Sequence, residues 1–421
     1  MIRTFLSAGV AITALAMTAS AQSVAVTNAK LWTGDALIDN ATVVIRDGRV
    51  TASGADVTVP SGVSSVDADG AWVTPGIFAA FSRVGIVEVG AEDPTNDSSA
   101  SASNFGAALL VADAFNPAAV TIAATRLEGV TRIGVAPGFG SGIIGGQGFV
   151  ADTSGTADSV TEPQAFTFIN MGEGGAGLSG GSRASAWAYF RAALSDARTY
   201  PARYITHDIG DVLPRVDAQA FGPASRGQQL MLFSVNRASD IRTIIDLKNE
   251  REDFKVAIVG GAEAWMVADE LAEAEIGVVI DPFANLPGSF EALGATQHNA
   301  ERLIDAGVTV AFSYFDDSSH QSRLVLQSAG NAVANGVAHE DALRAITSAP
   351  AEIFEIDGAG SLEAGGLGDL VIWDGDPLEV MSAPTAVYIG GVEQSLESRQ
   401  TRLRDRYLSL DESEKPLAFK H

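Results

Sequence analysis

Alternating apolar and polar residues dominate the first part of the chain. Val24–Leu31 alternates before a Trp-Thr-Gly-Asp stretch, and Ala41–Ile45 is rich in β-branched residues and stops at the turn dipeptide Asp47-Gly48. Alternation of this kind, bounded by turn residues, is typical of short strands joined by hairpins. The pattern therefore predicts a β-rich unit over residues 23–73.

From Ile77 the period changes, and apolar runs alternate with stretches of helical spacing. The predicted strands are Gly129–Val135, Gln229–Val235, Lys255–Val259, Gly277–Ile280 and Gly307–Phe312. The predicted helices are Ala118–Leu127, Arg183–Arg198, Ile241–Lys248, Trp265–Glu273, Gln297–Asp305 and Glu340–Ser348. Strands alternating with helices indicate βα units and a parallel sheet. After Pro350 the chain returns to a β pattern.

The first residues have the pattern of an export signal. Met1–Arg3 is positively charged, Phe5–Thr18 is an uncharged apolar run, and Ala19-Ser20-Ala21 matches a cleavage site. A membrane anchor is the alternative, but the run is shorter than the ~20 residues that span a bilayer. The mature chain is therefore expected to begin near Gln22, without a later membrane span, and to be periplasmic if the source is a Gram-negative bacterium.

Composition narrows the classes of function. The chain has 421 residues, of which 46% are hydrophobic, and this is enough for one large αβ domain and a smaller one. The net charge of −25 disfavours nucleic acid as a partner, because phosphate binding needs basic patches. The chain contains no cysteine, so disulfides, thiol catalysis and thiolate metal sites are excluded.

Two motifs frame the βα region. Thr74–Arg83 reads T-P-G-I-F-A-A-F-S-R, and Gly360–Trp373 reads G-S-L-E-A-G-G-L-G-D-L-V-I-W. They resemble the opening and closing signatures of the amidohydrolase superfamily, T-P-G-[LF]-I-D-x-H-x-H and G-S-L-E-x-G-K-x-A-D-L-V-[IV]-W. The stretches L-F-S-V-N-R-A-S-D-I and V-A-I-V-G-G-A-E-A-W resemble motifs of the exported, imidazolonepropionase-like branch of that superfamily.

The resemblance implies a fold and a division of the chain. The expected fold is a (β/α)8 TIM-like barrel with a small composite β-sandwich domain built from both ends of the chain. The implied parts are a signal peptide at 1–21, the composite domain at 22–76 plus 358–396, the barrel at 77–357, and a C-terminal helix and tail at 397–421.

The resemblance also implies one or two divalent metals, held by histidines and an aspartate at the carboxyl ends of the barrel strands. The chain departs from that pattern on strands one, five, six and eight. Other residues stand at the expected ligand positions, namely Phe81, Arg83, Ser234, Gly260 and Phe315. We therefore expect no metal, while one divalent metal such as zinc in a rearranged site is the alternative.

Several polar residues near these positions are candidates for a ligand pocket: Gln147, Asn236, Arg237, Glu263 and Asp316. Asn236 or Asp316 would take a ligand position if the spacing shifts. Gln147 lies in the glycine-rich stretch Pro137–Gly148, which is predicted to be a turn facing the site. A weak cation site built from Asp316, Asp317 and His320 is conceivable, although a solvated loop is favoured.

Arg83 permits two interpretations. A guanidinium group cannot deprotonate to bind a cation. It could neutralise carboxylates of the protein in a salt bridge, which is the favoured interpretation, or bind a carboxylate ligand through two hydrogen bonds.

Two functions are open on the sequence alone. The favoured one is an exported, metal-free and catalytically impaired amidohydrolase-like protein that binds a small ligand or an active amidohydrolase relative as its partner. The other is an active hydrolase of non-peptide C–N bonds, of the cyclic amide or dipeptide type, with a rearranged site.

Overall fold

The computed structural model describes residues 23–205 and 211–408 of the chain. The predicted signal peptide and the final residues of the predicted tail lie outside the described residues. The strands from the first part of the chain are β1 Val24–Trp32, β2 Leu37–Arg46, β3 Arg49–Gly54, β4 Ser64–Asp67 and β5 Trp72–Pro75. The strands that follow are β6 Ile77–Ser82, β7 Val130–Val135, β8 Ile144–Asp152, β9 Val160–Asn170, β10 Leu230–Val235, β11 Val256–Gly260, β12 Gly277–Ile280 and β13 Val310–Phe312. The last strands are β14 Leu370–Trp373, β15 Pro384–Ile389 and β16 Val392–Glu393.

The α-helices cover the outside of the second group of strands and end the described chain. They are α1 Val120–Arg126, α2 Glu173–Leu178, α3 Arg183–Thr199, α4 Arg215–Ser225, α5 Ala238–Glu250, α6 Ala268–Glu273, α7 Asn299–Asp305, α8 Val325–Ala334, α9 His339–Ala345, α10 Ser348–Phe354 and α11 Arg399–Leu408. Within the described ranges, no helix is long and apolar enough to cross a membrane.

Strands β6 to β13 form a nearly closed barrel in which neighbours in the chain are neighbours in the sheet. The expected TIM-like α/β fold is confirmed, and β1 to β5 with β14 to β16 form a separate sheet. One barrel strand differs from the prediction, because β8 runs antiparallel to both β7 and β9. Only residues 136–143 separate β7 from β8, and a parallel return would need a crossover of about a dozen residues or more.

The interior of the barrel is apolar at the amino ends of its strands. Phe78 and Phe166 each pack against Phe354 of α10, with ring centroids 5.9 Å and 5.3 Å apart. All three side chains are at most 4% exposed. These rings fill the end of the barrel at which its strands begin.

Ser313 closes the seam between the first and last barrel strands. The backbone N–H of Phe81 donates to Ser313 Oγ at 3.3 Å, and the Ser313 hydroxyl donates to the Phe81 carbonyl oxygen at 2.7 Å. Ser313 is fully buried. Two hydrogen bonds from one side chain therefore join β6 to β13, where no backbone ladder connects them in the described sheet.

We expect Ser313→Ala to lower the free energy of unfolding by about 1–3 kcal/mol, because the polar groups of Phe81 lose their buried partner. The control is Ser328→Ala, since Ser328 is also fully buried but its hydroxyl has no hydrogen-bond partner. Urea unfolding measures both variants. Equal stability of the two variants would show that Ser313 does not hold the seam.

The barrel joins the separate sheet at the Thr-Pro-Gly motif. Thr74 Oγ1 accepts a hydrogen bond from Trp373 Nε1 at 3.0 Å, and the backbone N–H of Gly76 donates to the Asp369 carbonyl oxygen at 2.9 Å. A Cβ atom at Gly76 would lie 1.9 Å from Thr131 Oγ1. Glycine is therefore required at this junction by close packing, which explains the third residue of the motif.

Candidate functional site

The barrel mouth is the set of carboxyl ends of β6, β10, β11, β12 and β13 with the loops that follow them. Phe81 and Arg83 stand at the end of β6, Ser234 lies in β10, and Gly260 is the last residue of β11. Phe315 lies three residues beyond β13. The ends of parallel strands meet at one edge, which is where barrel enzymes of this type carry their active sites.

Four phenylalanines form a cluster at this mouth, which we call the aromatic cap: Phe81, Phe139, Phe168 and Phe315. The Phe81 ring lies 5.5 Å from that of Phe315 and 5.6 Å from that of Phe168, and Phe139 stacks on Phe168 at 4.6 Å. Phe168 is buried, whereas the other three rings are partly exposed. Two expected ligand positions, Phe81 and Phe315, therefore contact each other through hydrocarbon edges.

The backbone of β11 excludes a side chain at the strand-six position. Gly260 has a φ of +104°, and a Cβ atom there would lie 2.7 Å from Asn236 Oδ1. That φ is one that residues other than glycine rarely adopt. A metal ligand at position 260 would therefore require a different backbone and a displaced Asn236.

The charge of Arg83 has no partner among the residues that the structure describes. Across residues 23–205 and 211–408 Arg83 makes no salt bridge, and its buried Nε has no hydrogen-bond partner. Burial lowers the pKa of the Arg83 guanidinium, and no neighbouring carboxylate counteracts this. The favoured prediction of a structural salt bridge is therefore wrong for the described residues.

A carboxylate from the loop after β12 lies across the ends of β9 and β10. Glu291 accepts hydrogen bonds from Asn236 Nδ2 at 3.1 Å, from Arg183 at 3.2 Å and from the backbone N–H of Glu173 at 2.5 Å. Arg183 and Arg237 both pair with Asp240 at 2.7 Å. The charges next to Asn236 are thus neutralised within the protein, in contrast to that of Arg83.

We expect Glu291→Ala to release the loop over residues 282–298, because three hydrogen bonds are lost together. Glu263 still holds the far end of this loop, since its carboxylate accepts from the backbone amides of Ala238 and Gly294, each at 3.0 Å. Hydrogen exchange measured by mass spectrometry should rise in this loop and stay unchanged in β2. Unchanged exchange in the loop would show that Glu291 does not anchor it.

One predicted pocket residue, Gln147, lies outside the barrel mouth. Gln147 is 2% exposed and bonds to Ala107, Thr167 and Gln229 near the start of β10, away from the barrel mouth. The predicted glycine-rich turn is partly wrong, because its second half, from Ile144, is strand β8. Strands β8 and β9 were not predicted from the sequence. The positions of Gln147 and Phe168 in the barrel could therefore not be predicted either.

The loop after β13 is organised by its own hydrogen bonds. Asp317 Oδ1 accepts from the backbone amides of Ser319 and His320, at 3.2 Å and 2.9 Å, and His320 Nε2 contacts the Glu88 carbonyl oxygen at 2.9 Å. Burial favours a higher pKa for Asp317, but these hydrogen bonds outweigh it and lower the pKa. Asp316 is exposed.

Asp281, which follows β12, is a partly buried carboxylate that was not among the residues predicted from the sequence. Its oxygens accept from the backbone amides of Phe283 at 2.9 Å and Phe315 at 3.0 Å. Burial raises the pKa of the Asp281 carboxyl group, the two hydrogen bonds lower it in part, and the charge of Asp316 raises it. Its position directly after a strand end was the available signal.

The donor chemistry of the mouth does not fit the divalent metal that the resemblance implies. The side chains at the expected positions offer benzene rings, a guanidinium group, a hydroxyl and a hydrogen atom, whereas such a metal needs converging imidazole and carboxylate ligands. In the part of the chain that the structure describes, no three His, Asp or Glu side chains lie close enough together to hold a metal ion. No chemical step through a metal is therefore derived for these residues.

Comparison with known proteins agrees with the fold. A family model described as the amidohydrolase family matches residues 251–395. The amidohydrolase tasK of Hapsidospora irregularis is 25% identical over 397 residues, which cover 86% of this chain and 40% of that protein. The chain thus spans about two fifths of the length of this relative.

Solved structures extend the similarity over most of the barrel and the separate sheet. An amidohydrolase from Thermotoga maritima MSB8 has a TM-score of 0.77 at 25% identity, over 88% of this chain and 99% of that one. N-isopropylammelide isopropylaminohydrolase from Burkholderia multivorans has a TM-score of 0.53 at 17% identity, over 88% and 98% of the two chains. The fold is that of the solved amidohydrolase structures, and the family model matches the part of the chain that contains β11 to β16.

Proposed function

We propose that the chain is a member of the amidohydrolase superfamily that is metal-free and catalytically impaired, and that it acts by binding a small ligand or a partner subunit. The observation that carries the proposal is the aromatic cap. Phe81 and Phe315 stand where the resemblance places metal ligands, and their rings are 5.5 Å apart.

The proposal follows from what hydrolysis by this class of protein requires. A bound divalent metal lowers the pKa of its water, so that hydroxide is available near neutral pH. The rings of the aromatic cap offer neither ligand atoms nor hydrogen-bonding groups for such a water. Arg83 adds a positive charge at the same mouth, and this charge repels a cation.

An active hydrolase with a rearranged site is the second candidate, and Asp281 is the observation in its favour. A partly buried carboxyl group with a raised pKa at the barrel mouth has the properties of a general base. The substrates would be non-peptide C–N bonds of the cyclic amide or dipeptide type. The two carboxylate oxygens of Asp281 already accept backbone hydrogen bonds. In the favoured proposal, Asp281 therefore holds the loop after β13 in place and has no catalytic role.

Hydrolysis assays separate the two candidates. The purified chain is incubated with a dipeptide and with a cyclic amide, with and without added zinc, beside the Asp281→Asn variant. We expect no turnover above that of buffer in any arm. Turnover by the wild type that disappears in Asp281→Asn would contradict the proposal, whereas turnover that persists in the variant indicates a contaminating enzyme.

Export and partnership are part of the same proposal. The first 21 residues have the composition of a signal peptide, and the motifs of β10 and β11 resemble the exported, imidazolonepropionase-like branch. We expect the mature protein in the periplasm of a Gram-negative source, associated with an active relative that retains its histidines. Affinity purification from the periplasmic fraction tests this, and recovery of the chain without such a relative would contradict the partner role.

A further inference from the structure

Arg83 differs from the other half-buried arginines around the barrel. Arg183 pairs with Asp240 and Glu291, and Arg237 pairs with Asp240. Arg83 makes no such pair within the described ranges, and its Nε, like that of Arg237, is buried without a hydrogen-bond partner there. Burying a charge without compensation costs free energy, so an unpaired guanidinium group at a barrel mouth indicates a partner from outside the chain.

The backbone lies close to the Arg83 guanidinium group at Gly138. Gly138 lies next to it, and a Cβ atom at this glycine would stand 3.6 Å from an Arg83 terminal nitrogen and 3.1 Å from the Ser99 Cβ. The backbone N–H of Gly138 already donates to the Ser98 carbonyl oxygen. The backbone therefore approaches the guanidinium group closely without offering it an acceptor.

An apolar surface adjoins this charge. Phe81 precedes Arg83 by two residues in the chain, and Phe139 follows Gly138. Both rings belong to the aromatic cap and are partly exposed. A guanidinium group beside partly exposed aromatic rings is complementary to a molecule with a carboxylate at one end and an apolar group at the other.

We propose that Arg83 binds the carboxylate of a small organic acid whose apolar part lies against Phe81 and Phe139. The guanidinium group donates two parallel hydrogen bonds to the carboxylate oxygens, and the acid supplies the counter-charge that the protein lacks. This inference rests on the binding function proposed above and names its ligand class. An inorganic anion would need only the charge and would make no use of the rings.

Isothermal titration calorimetry with benzoate tests the site. Benzamide serves as a neutral probe of the same shape, and inorganic phosphate serves as an anion without an apolar part. We expect saturable binding of benzoate by the wild type, and at least about tenfold weaker binding of benzamide and phosphate. Arg83→Gln should weaken benzoate binding at least about tenfold and should raise the melting temperature of the ligand-free protein. The control Arg242→Gln removes an exposed arginine that is paired with Glu270, and it should bind benzoate as the wild type does.

Four results would overturn the site: no saturable benzoate binding, equal binding by Arg83→Gln, equal binding of benzamide, or phosphate binding as tight as that of benzoate. Arg83→Lys is a second variant that keeps the positive charge but cannot donate two parallel hydrogen bonds to a carboxylate. It should bind benzoate more weakly than the wild type. The results that would refute the Arg83 site differ from those that would refute the proposed function. Zinc-dependent turnover would refute the metal-free function while leaving an Arg83-dependent benzoate site intact.

Discussion

Replacing Arg132 by methionine should lower the free energy of unfolding by about 3–5 kcal/mol, because it breaks a buried ion pair. Arg132 lies in β7, and its Nε is 2.7 Å from Asp369 Oδ2 at the start of β14. The two side chains are 8% and 5% exposed. Asp369 Oδ1 also accepts from the backbone N–H of Gly390 at 2.8 Å. The pair therefore joins the barrel to the separate sheet, and the variant leaves a buried carboxylate without its cation.

The loss should depend on pH through a second carboxylate, Asp152. Burial raises the pKa of Asp152, hydrogen bonds from Ser154 and the charge of Arg132 lower it in part, and the charge of Asp369 raises it. Without Arg132 the pKa of Asp152 rises further above its unfolded value of about 3.9. The folded state then binds more protons than the unfolded state in that window, so its stability falls as pH rises. The deficit of Arg132→Met should be smaller near pH 4 than near pH 7.

An exposed ion pair provides the control. Arg344 and Glu352 lie 2.6 Å apart with side chains 37% and 50% exposed, and Glu352→Ala should cost less than about 1 kcal/mol. Urea unfolding at the two pH values measures both variants. A loss for Arg132→Met no larger than that for Glu352→Ala would refute the role of the buried pair.

Phe168→Ala should lower the free energy of unfolding by about 3–5 kcal/mol. Phe168 is 2% exposed and contacts both Phe81 and Phe139, so its removal opens a cavity inside the aromatic cap. Phe290→Ala is the matched control, because the Phe290 side chain is 82% exposed on the loop that Glu291 anchors. The control should change the stability by less than about 0.5 kcal/mol.

The prediction for Phe168 fails if both variants have the same urea midpoint. Such a result would mean that the cap is loosely packed and that its rings can rearrange. The mouth would then not be filled by fixed side chains, because mobile rings could make room for other groups. Tryptophan fluorescence and circular dichroism should report the same midpoint if the variant unfolds in one transition.

The sequence predicted the architecture where local pattern and tertiary structure agree. The helix Arg183–Thr199 was predicted within one residue, and Ser182 caps it, since its side chain accepts from Ala184 N at 3.2 Å. The two motifs that frame the βα region, Thr74–Arg83 and Gly360–Trp373, indicated strands of one sheet. In the structure, β5 pairs with β14. In such elements the burial of one face follows directly from the spacing of apolar residues.

The prediction was incomplete where the structure depends on distant contacts. Strand β9 begins with a polar stretch, Val160–Gln164, whose exposure hides its strand pattern. The environment of Arg83 could not be predicted from the sequence, because the lack of a salt bridge to any described residue depends on which groups the fold brings near it. Glu291 lies in a loop without periodicity, and only the fold brings its carboxylate to Asn236.

The metal content of the purified mature protein tests the central claim most directly. The protein is expressed with zinc, iron and manganese in the medium, dialysed without chelators and measured by elemental analysis, beside the Asp316→Ala and His320→Ala variants. We predict far less than one metal ion per chain in all three proteins. Stoichiometric metal in the wild type that is lost in either variant would contradict the account and place a rearranged metal centre in the loop after β13.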